Sequence, residues 1–210
     1  MKITYIGHAC FLIEDNAGHT LVTDPYKSGY VPGLADHNVT ADEVICSHGH
    51  GDHNDSEGVR KPFETWDGRF DIKTVHTFHD DVGGAARGRN DISIINVDGL
   101  RIVHMGDIGC ELTESQLDDL RNCDVLMIPV GGFFTIDARQ ACEMTMKIDP
   151  KVVIPMHFRG KTFGYDEIST NEEFIQLITS EGSRRIIKDT SVIEKIPDDK
   201  CMFALDPAKA

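Results

Sequence analysis

Apolar residues follow different patterns in the two halves of this 210-residue chain. In the first half, short apolar stretches alternate with turns rich in Gly and Asp, a pattern typical of β-strands joined by tight connections. An Asp98-Gly99 pair separates two of these stretches and indicates a β-hairpin. The pattern predicts strands at 3–6, 10–13, 19–23, 43–47, 71–79, 91–97 and 100–105.

The second half alternates helical patterns with continuous apolar runs. A helix is predicted over 113–121, because Thr113 can cap its N-terminus and Gln116 follows three residues later. Further helices are predicted at 137–148 and 171–180, and buried strands at 125–130 and 152–156. This order of elements indicates an α/β fold in which helices cover mixed sheets, and we expect one domain over residues 1–210.

The charge balance restricts the partners of this chain. It has 21 basic and 35 acidic residues and a formal net charge of −14, so its surface repels phosphate backbones and no nucleic-acid partner is expected. A small anionic substrate remains compatible, because a bound cation can reverse the field within a single cleft. No stretch approaches the roughly 20 apolar residues of a membrane helix, so no membrane association is expected.

The cysteines and the N-terminus indicate a cellular compartment. The six cysteines are scattered without a C-x-x-C pair, unlike the dense spacing of a disulfide-stabilised secreted domain. The N-terminus carries one positive charge and then an apolar run interrupted by polar residues, which does not resemble a signal peptide. We therefore expect a cytoplasmic protein.

The segment 48–53 has the strongest chemical signature in the chain. Its pattern His48-x-His50-x-Asp52-His53 places four ligand-type side chains within six residues, directly after a predicted buried strand. The two intervening glycines allow the tight turns that these side chains need in order to converge. Imidazoles with one carboxylate suit Zn²⁺ better than Ca²⁺ or Mg²⁺, which prefer oxygen ligands. The segment therefore predicts a metal site, and the alternative is a solvated loop of chance composition.

Three further ligand-type residues stand at the ends of other predicted strands. They are His79, Asp107 and His157. Side chains alternate between the two faces of a strand, so His79 is predicted on the face opposite to His76, and Asp107 on the face opposite to His104. We therefore interpret His76 and His104 as core histidines that are packed or hydrogen-bonded, and not as ligands.

Five segments follow one another in an order that is typical of a single family. They are 5–9 with Phe11, 23–25, 48–53, 106–109 and 154–157, and the segment 131–135 fits the same pattern. Together they resemble the metallo-β-lactamase superfamily of metal-dependent hydrolases, and within it the small bacterial and archaeal lactonase-like hydrolases that begin with a Gly-His-Ala segment. The resemblance extends over nearly the whole chain. It implies a four-layer αββα sandwich with metals in a cleft along one edge of the two sheets.

The resemblance also implies a ligand set. A first metal would be bound by His48, His50 and His79 and a second by Asp52, His53 and His157, with Asp107 bridging the two. The implied cofactors are two divalent ions, with Zn²⁺ favoured and Mn²⁺ or Fe²⁺ as alternatives. Asp24 matches a buried aspartate that supports the ligand loop in the family, and its alternative interpretation is a turn residue before Pro25.

The implied activity is hydrolysis by a hydroxide that bridges the two metals. Metal coordination lowers the pKa of water to about 7, which supplies a nucleophile at neutral pH. The substrate class is a small anionic ester, lactone or phosphodiester. Catalytic roles fall to Asp107, to Asp52 and to His8, which the resemblance places near the metals without making it a ligand. For His8, substrate contact or proton transfer stands beside the alternative of a structural turn residue.

Candidate substrate contacts follow two of the predicted strands. Arg87 comes soon after His79 and could clamp an anionic group, while Phe134 and Thr135, with the preceding Phe133, could form one wall of the pocket. Arg89 could act in the same way as Arg87. The alternatives are solvated loop arginines, above all for Arg89, and aromatic side chains that are simply buried at a strand end.

Three other activities are alternatives to a small-molecule hydrolase. A nuclease or phosphodiesterase is disfavoured by the acidic surface and the lack of a basic arm. An oxygenase with one iron, acting on a thiol or persulfide, is disfavoured by the complete second ligand set. Relatives with di-iron oxygen chemistry also carry Glu at the position of His50. A non-catalytic metal-binding regulator is disfavoured because all seven ligands are present.

Overall fold

The computed structural model describes residues 1–62, 66–182, 184–188 and 190–208. Over these residues the chain forms two mixed β-sheets and three helices. The strands are β1 (Lys2–Gly7), β2 (Cys10–Glu14), β3 (Thr20–Thr23), β4 (Glu43–Ile45), β5 (Asp71–Phe78), β6 (Arg89–Val97), β7 (Leu100–His104), β8 (Val125–Pro129), β9 (Val152–Met156), β10 (Arg185–Ile187), β11 (Val192–Ile193) and β12 (Cys201–Phe203). The helices are α1 (Glu114–Leu120), α2 (Ala138–Ile148) and α3 (Glu172–Gly182).

The two sheets pack face to face around one large core. Over the described residues, the smaller sheet has the order β11-β1-β2-β3-β4 and the larger sheet the order β10-β12-β9-β8-β7-β6-β5. Alternation along β2 points Phe11 and Ile13 into the core and Cys10 to the opposite face. Across the core, the Phe11 ring meets the ring of His104 on β7, with 6.0 Å between the ring centroids. Contacts of this kind fix how the two sheets lie on one another.

The helices cover the larger sheet, and α1 begins at the predicted cap. Thr113 forms a capping box with Gln116 at the start of α1. Asp137 accepts hydrogen bonds from the first N–H groups of α2, and Asp149 ends that helix in a left-handed conformation. Ile148 is among the α2 side chains that join the main core. No helix in the described ranges is both long and apolar enough to cross a membrane.

In the described part of the chain, the outer face of the smaller sheet is covered by the connection between β3 and β4 and not by a helix. Cys10 and Val22 form a second apolar cluster with Tyr26, Val31 and Val39 from the connection between β3 and β4. Over the described residues this connection contains no helix, so irregular chain forms the fourth layer of the sandwich.

The topology brings the segments that contain the predicted ligands to one edge. β5 and β7 are both antiparallel to β6, while β7, β8 and β9 are parallel to one another. The C-terminal ends of β5, β7 and β9 therefore lie at the same edge of the larger sheet, where ligand sites of α/β proteins are commonly found. The end of β4 reaches this edge from the smaller sheet, because Asp91 on β6 donates its N–H to the Ser47 carbonyl at 2.9 Å.

Most of these elements agree with the sequence predictions. The α/β class is confirmed, and the three predicted helices correspond to α1, α2 and α3. The strands β10, β11 and β12 were not predicted. They are two or three residues long, and they pair with distant parts of the chain, β11 with β1 and β12 with β9. Such short strands depend on tertiary pairing and have too few residues for a periodic pattern.

Candidate metal centre

The loop that contains the His48–His53 motif folds around the buried carboxylate of Asp24. One carboxylate oxygen accepts a hydrogen bond from the Ser47 hydroxyl at 2.6 Å and one from Nδ1 of His53 at 2.8 Å, and the other accepts from the Ser47 N–H at 2.6 Å. Since Nδ1 of His53 donates to Asp24, its Nε2 is left facing the centre as a potential ligand atom. Asp24 thus lies where the sequence predicts a support for the ligand loop.

Asp107 is positioned by a buried asparagine. Asn90 on β6 accepts the Asp107 N–H at 2.8 Å, and its amide nitrogen donates to the Met105 carbonyl at 2.9 Å and to Thr77 Oγ1 at 3.0 Å. The intervening Gly106 has φ +55°, and a Cβ there would lie 2.3 Å from the Asn90 side-chain oxygen. A glycine is therefore required where the chain turns away from β7.

His8 and His157 are held against each other in strained backbone conformations. Both have positive φ, +57° for His8 and +50° for His157, and the His157 N–H donates to the His8 carbonyl at 2.8 Å. Their ring centroids are 4.0 Å apart. Gly131 makes room for this arrangement, since a Cβ there would lie 2.3 Å from the His157 carbonyl oxygen. Non-glycine residues in this region of φ cluster at functional sites.

The predicted ligands lie together in overlapping clusters. Within each cluster, the potential ligand atoms all lie within 4.8 Å of one another. The first cluster is His48, His50 and His79, the second is His8, Asp52, His53 and His157, and the third is His48, His53 and Asp107. The first contains the residues predicted for one metal, and the second contains those predicted for the other together with His8. The third contains residues that were predicted as ligands of each of the two metals.

Asp107 lies between the first two clusters. Its Oδ2 is 3.0 Å from Nε2 of His53, 3.2 Å from Nε2 of His157 and 3.3 Å from Nε2 of His79. His79 belongs to the first cluster, whereas His53 and His157 belong to the second. One carboxylate oxygen thus contacts imidazoles of both clusters.

Several buried polar atoms of the clusters have no hydrogen-bond partner among the described residues. They are both ring nitrogens of His8 and His157, Nε2 of His53, Nδ1 of His79 and Oδ1 of Asp107. Buried polar atoms are nearly always hydrogen-bonded, so the presence of several such atoms within the clusters indicates a cation as the partner of those that face the centre. Imidazole nitrogens and carboxylate oxygens are also the ligands that Zn²⁺ takes in proteins. The residues present therefore fit a metal centre.

The protonation states of three groups of the centre suit metal binding, whereas for His53 the neighbouring Asp107 outweighs burial and raises the pKa well above its usual value. Burial lowers the pKa of His8 to about 4, and the neighbouring His157 contributes to the shift. Burial likewise lowers the pKa of His48 to about 4, with a contribution from His53. For Asp107, burial opposes ionisation, but His157 and His53 outweigh it and hold the pKa well below its usual range. At neutral pH, His8 and His48 are therefore neutral and Asp107 is ionised, which are the forms that bind a metal ion.

The candidate substrate contacts form one side of the centre. Arg87 is half-buried; it donates from Nη2 to the Phe133 carbonyl at 3.1 Å, and its guanidinium carbon lies 5.8 Å from the centroid of the Phe134 ring. Among the described residues, no carboxylate forms an ion pair with Arg87. Phe133 is 64% exposed, and the Thr135 hydroxyl donates to the Ile136 carbonyl at 3.1 Å. Arg87 is thus ordered against the aromatic wall and retains an uncompensated positive charge.

A buried carboxylate that sequence reasoning missed shapes the loop carrying Arg87. Asp80 directly follows His79, and its two oxygens accept four backbone N–H groups at 2.6–3.0 Å. The donors are Val82, Gly84, Ala86 and Arg87. Burial alone would raise the pKa of Asp80, but these backbone donors outweigh it and lower the pKa. The whole turn from His79 to Arg87 is therefore organised around one side chain.

We expect Asp80→Asn to raise KM for an anionic substrate roughly three- to tenfold, because Arg87 is displaced. A displacement of about 1 Å in a positioning group can lower the reaction rate by up to about 100-fold. Asparagine keeps one acceptor oxygen but turns an amide toward N–H donors, so the loop loses the order that places Arg87. Steady-state kinetics would measure the effect. The adjacent Asp81 is exposed, so Asp81→Asn is the matched control. Equal KM values for the two variants would contradict this role for Asp80.

The two histidines that were predicted not to be ligands lie in different environments. His104 is a buried, hydrogen-bonded core residue as predicted, with Nε2 2.9 Å from the Ala9 carbonyl oxygen. For His76, the opposite strand face is confirmed but the core position is wrong. Its side chain is 77% exposed and Nδ1 lies 2.7 Å from Asp91. β5 is the edge strand of the larger sheet, which leaves this face open to solvent.

Comparison with known proteins agrees with this geometry. Residues 2–157 match the sequence model of the Beta-lactamase superfamily domain. A UPF0173 metal-dependent hydrolase of Pelotomaculum thermopropionicum is 30% identical over 194 residues, covering 75% of this chain and 84% of the relative. One of Carboxydothermus hydrogenoformans is 28% identical over 196 residues, with the same coverage. The crystal structure of a proposed Zn-dependent hydrolase of the metallo-β-lactamase superfamily from Thermotoga maritima superposes with a TM-score of 0.73, at 31% identity and 97% coverage of both chains.

The family match and the candidate centre coincide. The matched region 2–157 contains all seven predicted ligands, from His48 to His157. The solved relative extends the similarity to nearly the whole length of both chains. The chain therefore belongs to the UPF0173 metal-dependent hydrolases of the metallo-β-lactamase superfamily.

Proposed function

We propose that this protein holds two divalent metal ions, with Zn²⁺ favoured, and hydrolyses a small anionic ester, lactone or phosphodiester. The position of Asp107 carries the proposal. Its Oδ2 lies 3.0 Å from His53 and 3.3 Å from His79, which belong to different clusters of potential ligands. A carboxylate shared by two adjacent cation sites accounts for both contacts.

The clusters supply a ligand set for each ion. His48, His50 and His79 would hold one, and Asp52, His53 and His157 would hold the other. Three protein ligands with a position left for water or substrate are typical of catalytic zinc sites. The preponderance of imidazole favours Zn²⁺, and the same donor atoms also accommodate Mn²⁺ or Fe²⁺.

The protein's own groups orient the substrate and handle protons. A divalent ion bound here supplies a hydrolytic nucleophile, because it lowers the pKa of a coordinated water to about 7. His8 Nε2 lies 3.3 Å from Asp52 Oδ2, so the neutral imidazole is placed beside Asp52 to accept a proton or to donate a hydrogen bond to a substrate oxygen. His8 is fully buried, and both its ring nitrogens lack a hydrogen-bond partner among the described residues.

An anionic substrate is favoured by the wall beside the centre. Arg87 has no carboxylate partner in the described part of the chain, although the protein carries a net charge of −14. Its planar guanidinium can bind a carboxylate or phosphate through two parallel hydrogen bonds. Phe134 and Thr135 would then contact the less polar part of the same molecule. The acidic surface argues against a nucleic-acid partner, and we propose that residues 1–210 act as one cytoplasmic domain on a small molecule.

A panel of lactones, thioesters, phosphodiesters and β-lactams, assayed with protein of defined metal content, tests the proposal. We expect hydrolysis of an anionic ester, lactone or phosphodiester that is lost with a chelator and restored by Zn²⁺. Arg87→Gln should raise KM about tenfold for the anionic substrate but not for its neutral analogue, since a charge-assisted hydrogen bond contributes about 1.5 kcal/mol or more. Arg89→Gln, in the same segment but exposed, is the control. A metal-loaded protein that hydrolyses no member of the panel would contradict the proposed function.

A further inference from the structure

The phenol of Tyr165 lies at the centre, although no motif marks it. The residue is half-buried, and its hydroxyl donates to Asp52 Oδ2 across 3.4 Å, a long hydrogen bond. The other polar side chains at this place are imidazoles and carboxylates, most of which the proposed metal ions would engage. Tyr165 is different, because a phenol is a neutral donor that carries its proton at every physiological pH.

The Tyr165 ring is held in place on two sides. It meets the His8 ring edge to face, with centroids 5.7 Å apart, and meets the Phe134 ring in the same way at 5.8 Å. These contacts form a continuous row of rings from the wall at Phe134 to the buried His8 and His157. The phenol oxygen therefore faces the space between the aromatic wall and the second cluster.

The backbone before Tyr165 is also fixed. Gly164 has φ +96°, and its N–H donates to the Pro32 carbonyl at 2.8 Å. Gly33 lies directly against this segment, since a Cβ there would be 1.9 Å from the Thr162 carbonyl oxygen. Two close contacts thus fix the backbone directly before Tyr165, which reduces the reorganisation that a donor would need during a reaction.

We propose that Tyr165 is a catalytic residue whose O–H donates a hydrogen bond to the substrate oxygen on which negative charge develops during hydrolysis. This inference rests on the proposed function. No proton is transferred; the phenol keeps its hydrogen and stabilises charge by orientation alone. Donation to Asp52 holds the O–H toward the second cluster, and an incoming substrate oxygen replaces the long contact with a shorter one. Removing such a donor costs about 100- to 1,000-fold in kcat in enzymes where it has been tested.

Tyr165→Phe in the Zn²⁺-loaded protein tests the role, with Tyr30→Phe as the matched control. Tyr30 also carries a phenol near the centre, but it is 52% exposed and its ring packs on Gly51. On the panel substrate that is hydrolysed fastest, we expect Tyr165→Phe to lower kcat about 100-fold with KM and metal content unchanged. Tyr30→Phe should match the wild type. Loss of metal in Tyr165→Phe would assign Tyr165 to the support of Asp52 and overturn the catalytic role.

Inorganic phosphate gives a readout that does not depend on activity. Its tetrahedral oxyanion resembles the charge distribution of a hydrolytic transition state, and calorimetry measures its binding to the metal-loaded protein. We expect affinity to fall about tenfold in Tyr165→Phe, the equivalent of one charge-assisted hydrogen bond, and to be unchanged in Tyr30→Phe. Equal phosphate affinity in Tyr165→Phe and wild type, or no phosphate binding by the wild type, would overturn the inference. Hydrolysis of no panel substrate would instead contradict the proposed function, while the phosphate result still decides the role of Tyr165.

Discussion

Asp107→Asn is expected to lower kcat at least about 100-fold while the protein remains folded, because a displacement of about 1 Å in a reacting group can cost this much. Asparagine keeps the shape and one oxygen but removes the charge shared by the two clusters. The Asp107 N–H still binds Asn90, so the backbone position is retained. The loss of charge should weaken the second metal and misplace the reacting groups between the clusters.

Rate, metal titration and thermal unfolding would be measured together on this variant. The matched control is Asp91→Asn, which alters a carboxylate of the same edge region that pairs with the exposed His76. We expect this control to retain activity and both metals. Full activity of Asp107→Asn with two metals still bound would remove Asp107 from the centre and with it the bridging role.

His79→Ala and His76→Ala should give opposite results, although the two residues are three positions apart. His79 is 2% exposed and its Nε2 lies 3.3 Å from Asp107, whereas the His76 side chain is 77% exposed. Loss of a residue that supports a ligand already costs about 10–100-fold in metal affinity or activity, so loss of a ligand should cost more. We expect His79→Ala to lose the first metal and most activity.

His76→Ala should keep its metal content and change stability only slightly, because exposed ion pairs contribute about 0–1 kcal/mol. Elemental analysis, activity and thermal unfolding of both variants measure the contrast. If His76→Ala lost metal and His79→Ala kept it, the assignment of strand faces at the end of β5 would be wrong.

The candidate ligands could be found in the sequence because each has a local signature. His79, Asp107 and His157 follow apolar strands, and parallel strands bring such ends to one edge. Alternation along β5 then separated His79 from His76 correctly. Alternation could not show that β5 is an edge strand. His76 is exposed, and not in the core, because β5 lies at the edge of the sheet.

The residues that support and complete the centre have no local signature. Asn90 lies near the start of β6 between two charged residues, and its contacts to Met105 and Thr77 exist only once three strands have paired. Tyr165 lies in an irregular segment, and its partner Asp52 is 113 residues away in the chain. Asp80 is a more local case, since a carboxylate followed by two glycines is typical of a turn that binds its own backbone.

The number of metal ions per chain tests most directly the central claim, which is that the protein holds two divalent ions. Elemental analysis of wild-type protein and His157→Ala, both purified without chelator, would count the ions per chain. The structure places His157 in the second cluster and not in the first, so its removal should affect only one ion. We expect two ions per chain in the wild type and one in His157→Ala. A reproducible value of one in the wild type, unchanged in His157→Ala, would contradict the two-metal centre.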